Sequence, residues 1–344
     1  VGTDPSHVGE RVLPCVGKAW PFWLVFGGIS LLILWACHAW LASARLGSLA
    51  RRWAWLSRAF LLVLSVWWIA MILHNSPRLP RMLGFDVNGH TEYISYIVDK
   101  GALPLANEGW QMYHPPLYHV LAALLLKAGG WAVTSASGVL AIRVLNLVLA
   151  LANLALILVS MRLIFPDRPR RQILGLIFGA SLPMNLYLYQ YPTNEILAAT
   201  LAAAAVYCTL RIIRADRSRW TDYLLLGLAL GAGMLAKVSV VLLLPPVGIV
   251  IAVKLFSDKM PGRWRRGALC VSLLSMVIVS VCGWHYYRTW AHFGSPVVSN
   301  SNPKVASPWW QSPGYRTVHD YLRFGESLDS PWFSHWYSVW DGLF

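Results

Sequence analysis

Gly84–His119 reads GFDVNGHTEYISYIVDKGALPLANEGWQMYHPPLYH, a polar island in an otherwise apolar chain. The acids Asp86, Glu92 and Glu108 and the histidines His90, His114 and His119 stand here between long hydrophobic runs. The double proline Pro115–Pro116 closes the island, and Leu117–Tyr118 opens the next apolar segment. Proline suits the first turn of a helix, so Pro115–Pro116 is expected to start a helix sharply and hold Tyr113 and His114 at its mouth.

Outward from the island the chain is that of a membrane protein. Of its 344 residues 57% are hydrophobic and only 13% charged, about half the charged fraction of a soluble domain. Runs long and apolar enough for spanning helices are Pro21–Leu41, Ala59–His74, Val139–Ile164, Ile173–Tyr189, Ile196–Ile213, Tyr223–Ala236, Val238–Val253 and Gly267–Tyr287. Pro116–Trp131 contains His119, Lys127 and Gly129–Gly130 and is expected to lie at the surface or re-enter. The prediction is an all-α integral membrane protein of about eight spans, with surface helices in the first outer loop.

Charge sets the orientation. The loops at Arg45–Arg58, Arg162–Arg171, Arg211–Asp222 and Lys254–Arg266 share one side under this topology. They hold 17 of the 29 Lys and Arg but 4 of the 15 Asp and Glu. Basic loops stay in the cytoplasm, so the island and the Gln190–Glu195 link face outward. The net charge of +14 is spread over short loop clusters, which argues against a nucleic-acid partner. Cys15, Cys37, Cys208, Cys270 and Cys282 show no metal or disulfide spacing and read as small hydrophobes. Val1 and Phe344 read as the ends of a fragment. The expected division is 1–58, an extra helix and basic loop; 59–300, a multi-span transmembrane core; and 301–344, a Trp-rich outer segment.

Several residues can carry chemistry. Asp86, among apolar neighbours, is either a general base with a raised pKa or the N-cap of a helix over Gly89–Val98. His90, four residues on, shares its helical face and reads as an acid–base or metal partner, or as a structural histidine. His114 and His119 lack the spacing of a helical zinc site, and a divalent metal is possible but not required. Asn194–Glu195 caps the next span or adds a polar contact. Lys237 snorkels to the interface or meets a phosphate, and Arg143 and Arg288 read in the same two ways. Gly227, Gly231 and Gly233 allow close helix packing.

The ordered set Asp86 in FDVNGHTEYISYI, GALP (Gly101–Pro104), Glu108, HPPLYH (His114–His119), YPTNE (Tyr191–Glu195), GLALGAGMLAKVSVVLLLP (Gly227–Pro245) and WHYYRTWAHFGSP (Trp284–Pro296) resembles the GT-C superfamily of polyprenyl-phosphate-sugar-dependent glycosyltransferases. It is most similar to bacterial members related to protein O-mannosyltransferases and lipid A aminoarabinose transferases. The resemblance covers roughly residues 59–300. It implies that Asp86 is the catalytic base, that Asn194 and Glu195 assist it, and that Lys237 contacts the donor phosphate. His90, Glu108, His114, Tyr118, Arg143 and Arg288 are expected as further substrate contacts. Val87 stands where many relatives carry a second acid. The implied activity is transfer of a sugar, with inversion, from a polyprenyl phosphate to a lipid, glycan or protein acceptor, at the outer face of a bacterial inner membrane. A flippase for lipid-linked sugars and a non-enzymatic assembly factor are the alternatives. The first predicts paired repeats and broken helices near the midplane, and neither is visible in the sequence.

Overall fold

The structure is a computed structural model that describes residues 50–299 apart from 77, 85, 216–218 and 258–261. The predicted span Pro21–Leu41 and the Trp-rich segment after residue 300 lie outside the described residues. The chain divides at Trp55/Leu56, and almost every described residue belongs to the second unit.

All regular structure among the described residues is helical. The elements are α1 (Ala50–Asn75), α2 (Val87–Lys100), α3 (Leu117–Gly129), α4 (Ala136–Ile164), α5 (Pro169–Ser181), α6 (Pro183–Leu188), α7 (Glu195–Arg214), α8 (Trp220–Ala236), a 3₁₀ turn over Val238–Leu243, α9 (Leu244–Ser257) and α10 (Arg263–Phe293). Among the described residues five segments are long and apolar enough to cross a membrane: Leu56–Asn75, Ala136–Ile164, Glu195–Arg214, Val238–Ser257 and Arg263–Phe293. Trp220–Ala236 is apolar but shorter.

α3 starts where the two prolines predict. Its 13 residues extend only about 20 Å, too short for a hydrocarbon core of about 30 Å. It packs instead on α2, whose buried side chains Val87, His90, Thr91 and Ile94 follow helical spacing. Both helices end on left-handed glycines, Gly101 (φ 63°) and Gly130 (φ 64°), which satisfy the last carbonyls.

One expected span is not a single helix. Ile173–Tyr189 is divided between α5 and α6, with Leu182 extended (ψ 119°) ahead of Pro183. Proline disfavours helical geometry in the residue before it and has no N–H to continue the ladder. Tyr189, just past α6, is fully buried and stacks on Trp68 of α1, ring centroids 5.3 Å apart.

α8 is the central helix, packed between α7 and α10. A Cβ on Gly227 would lie 2.9 Å from Val277 Cβ, and one on Gly231 2.9 Å from Val281 Cβ. These two glycines therefore bring α8 and α10 close together, while Gly233 makes room for Val240. At one end of the bundle basic side chains hold helix ends together. Arg162 donates to Ser57 Oγ (2.7 Å), Arg214 to the Ile164 carbonyl (2.8 Å), and Arg211 pairs with Asp222 (2.6 Å). The residues with candidate chemistry lie at the opposite end.

Candidate active site

Three separated pieces of chain meet at the end of the bundle opposite the basic loops. The first carries Asp86. Gly84 is at φ 135°, and a Cβ there would fall 2.2 Å from the Tyr191 ring, so only glycine fits against Tyr191 at this position. Asp86 follows at φ 58°, a left-handed conformation that costs a non-glycine residue roughly 1 kcal/mol or more. It occupies the N-cap position of α2, yet its side chain makes no capping bond. The cap alternative therefore fails. The carboxylate lies instead near the Gln111 amide and within the electrostatic reach of Lys237 and Glu195.

The second piece starts α7, and the third ends α8. Lys237 follows α8 in an extended conformation (φ −155°, ψ 134°) that swings the chain into the 3₁₀ turn. Its ammonium forms an ion pair with Glu195, the first residue of α7. Both side chains stay partly open, 23% and 42% exposed, so the pair can meet a ligand. Asn194 is buried and makes no cap; its Nδ2 donates to the Ala236 carbonyl (3.0 Å) and fixes the start of α7 to the end of α8. Thr193 Oγ1 takes the Glu195 N–H (3.3 Å) instead. Asn194, expected as a substrate contact, is thus spent on the frame.

Burial pushes the Asp86 carboxyl up to about 6 from an ordinary value of 3.8; the Gln111 hydrogen bond and Lys237 hold it down, and Glu195 adds a smaller push upward. Such a carboxylate is ionised at neutral pH yet retains affinity for a proton, as a general base requires.

The histidines form a separate layer. His90 and His119 share a hydrogen bond, Nδ1 to Nε2, of 3.0 Å. The His90 ring stacks on His114 (5.8 Å) and His119 on Tyr93 (4.0 Å). Burial lowers His90 to about 4 and carries His114 and His119 well below the usual imidazole range, so all three are neutral at pH 7. His90 is therefore partnered by α3 rather than by Asp86, which agrees with the structural-histidine reading of the two the sequence offered and not with the acid–base pair. Among the described residues no group of three or more His, Cys, Asp and Glu is arranged to hold a metal ion.

The family model described as dolichyl-phosphate-mannose-protein mannosyltransferase matches residues 113–285, just over half of the chain. The chain belongs to that family. No curated protein matches it. Among solved structures it is similar to the S. cerevisiae protein O-mannosyltransferase Pmt1–Pmt2 complex bound to the sugar donor, with 19% identity and a TM-score of 0.55. That match covers 77% of this chain and 36% of the yeast chain, so this chain spans little more than a third of the yeast protein's length. The likeness is one of fold, and it agrees with the GT-C architecture read from the sequence.

Within this mannosyltransferase-family fold, four more expected contacts have structural partners. Tyr118 is fully buried; its hydroxyl donates to Asn146 Oδ1 (3.0 Å) and accepts from the Thr193 N–H (3.2 Å). Arg143, 1% exposed, donates to the carbonyls of Gln190 (2.8 Å), Ser76 (2.8 Å) and Pro80 (2.9 Å). Both residues were expected at the substrate and instead tie the Asp86 and Glu195 loops to α4. Arg288 donates to the Leu103 and Pro104 carbonyls (2.9 and 3.0 Å). Glu108 accepts from Tyr96 Oη (2.8 Å) and from the Leu105 N–H. The residue that sequence reasoning passed over is Gln111, a lone amide in the WQMY run. Its polarity beside Trp110 and Met112 was the only signal.

Proposed function

We propose that this protein is a membrane glycosyltransferase that moves a sugar, mannose or a related hexose, from a polyprenyl phosphate to an acceptor hydroxyl. The acceptor O–H meets the Asp86 carboxylate. As the acceptor oxygen bonds to the anomeric carbon, Asp86 takes the proton. The bond from that carbon to the phosphate oxygen breaks, and the phosphate leaves with the electron pair. Lys237 meets the charge gathering on the phosphate, and Glu195 holds the ammonium in place between turnovers. A single displacement inverts the anomeric centre. The acceptor is a lipid, a glycan or a protein; the membrane proposed is a bacterial inner membrane, and the positive-inside pattern supports a reaction at its extracytoplasmic face.

The observation that carries this reading is the Lys237–Glu195 pair held within electrostatic reach of Asp86, from segments far apart in sequence. A carboxylate of raised pKa beside a partly open cation matches the two needs of transfer from a sugar phosphate. The yeast relative's bound sugar donor is in keeping with it. The test is incubation of the purified protein with a panel of labelled polyprenyl-phosphate sugars. Label passing to lipid or protein from one donor, and lost with Asp86→Asn, supports the reading. No transfer from any donor by folded protein overturns it.

A further inference from the structure

Resting on that reading, we infer that Gln111 is a positioning residue for Asp86. Its amide N–H holds one carboxylate oxygen and leaves the other to receive the acceptor's proton.

The geometry is unusual for a side chain with only a packing role. Gln111 is 1% exposed. Its amide lies close enough to Asp86 to favour the ionised carboxylate, while its Oε1 is buried with no partner. An amide oxygen left unmet in the interior destabilises the fold. A methionine of the same length would fill the space without that loss. The backbone is also shaped around Gln111. Gly89, in the first turn of α2, has no side chain, and a Cβ there would fall 2.3 Å from Gln111 Cγ and 3.0 Å from its Cβ. The turn that presents Gln111 is closed by the His114 N–H bonding to the Gln111 carbonyl (3.2 Å), and it sits directly ahead of Pro115–Pro116.

A glutamine neither gives up nor gains a proton at working pH, so it serves both states of Asp86. With the carboxylate ionised, the N–H is donated to one oxygen. After proton transfer the same N–H stays on the carbonyl oxygen of the acid, and the proton resides on the other. Removing the amide frees the carboxyl to rotate and takes away a bond that favours its charged form. The acid limb of the pH profile then moves upward.

The test uses Gln111→Met and Gln111→Glu, with two readouts. The first is the pH profile of kcat/KM for sugar transfer. The second needs no activity: the pH midpoint of carbodiimide labelling at Asp86, read by peptide mass spectrometry. For Gln111→Met the expected result is an unchanged or higher melting temperature, a fall in plateau kcat/KM of about tenfold or more, and both midpoints raised by about one pH unit. Gln111→Glu, which keeps the shape but brings a second carboxyl, raises the labelling midpoint further. Unmoved midpoints in both variants overturn the assignment. Raised midpoints in a protein that transfers no sugar leave the Gln111 assignment standing and sink the glycosyltransferase reading instead.

Discussion

Replacing Asp86 with asparagine separates stability from function in one variant. The folded Asp86 carboxyl lies near 6 against 3.8 in its ordinary state, so the folded protein binds the proton more tightly than the unfolded one. Stability therefore falls as pH rises from about 4 through about 6 and is level above that. A shift of about two units corresponds to about 3 kcal/mol at full burial. Asp86 is only partly buried, and solvent screening reduces this to about 1–2 kcal/mol. Asparagine has nearly the same shape, tolerates the left-handed conformation as well as aspartate does and bears no charge. Asp86→Asn should accordingly melt a few degrees higher than wild type at pH 8, with the gain vanishing near pH 4. The same variant should lose about 100-fold or more in transfer. The assay is tryptophan-fluorescence melting in detergent at both pH values, beside a transfer assay. A lower melting temperature at pH 8 refutes the burial argument, and full transfer refutes the role of the carboxylate.

Other substitutions probe the frame and the phosphate contact. Lys237→Ala should raise the KM for the donor about tenfold or more, measured by titrating a labelled polyprenyl-phosphate sugar; an unchanged KM means that Lys237 only balances Glu195. Gly89→Ala would gain close to 1 kcal/mol in an open helix, but its Cβ meets Gln111 at 2.3 Å. The net outcome expected is a loss of about 1–3 kcal/mol together with slower transfer, read by melting and by kcat. Arg143→Ala leaves the Gln190 and Ser76 carbonyls unmet and the Pro80 carbonyl with only the Leu83 N–H, and should cost about 2–3 kcal/mol or more. Arg143→Lys should not restore it, because an ammonium lacks the planar fork that reaches three directions.

Helix order and the gathering of Asp86, Glu195 and Lys237 at one end of the bundle were legible in the sequence because they follow from hydropathy and from charge counted loop by loop. Partners were not. A buried arginine reads as a phosphate ligand until the carbonyls it faces are known, and those of Arg143 lie 47, 63 and 67 residues away. Spacing placed His90 on the face of Asp86, but the left-handed turn at Asp86 aims the carboxylate at Gln111 and leaves His90 to His119. Tyr118 lies in a motif and so drew a functional reading, although its hydroxyl is consumed by Asn146 and Thr193. The break at Pro183 was visible as a proline inside an apolar run, where hydropathy alone outweighed it.

The central claim is that Asp86, Glu195 and Lys237 enclose one donor site beside the bilayer. An experimental structure with a non-hydrolysable polyprenyl-phosphate sugar bound tests it most directly. The account predicts the phosphate at Lys237 Nζ and the Asp86 carboxylate on the face of the anomeric carbon opposite the phosphate. A donor seated elsewhere, with protein between it and Asp86, would contradict it.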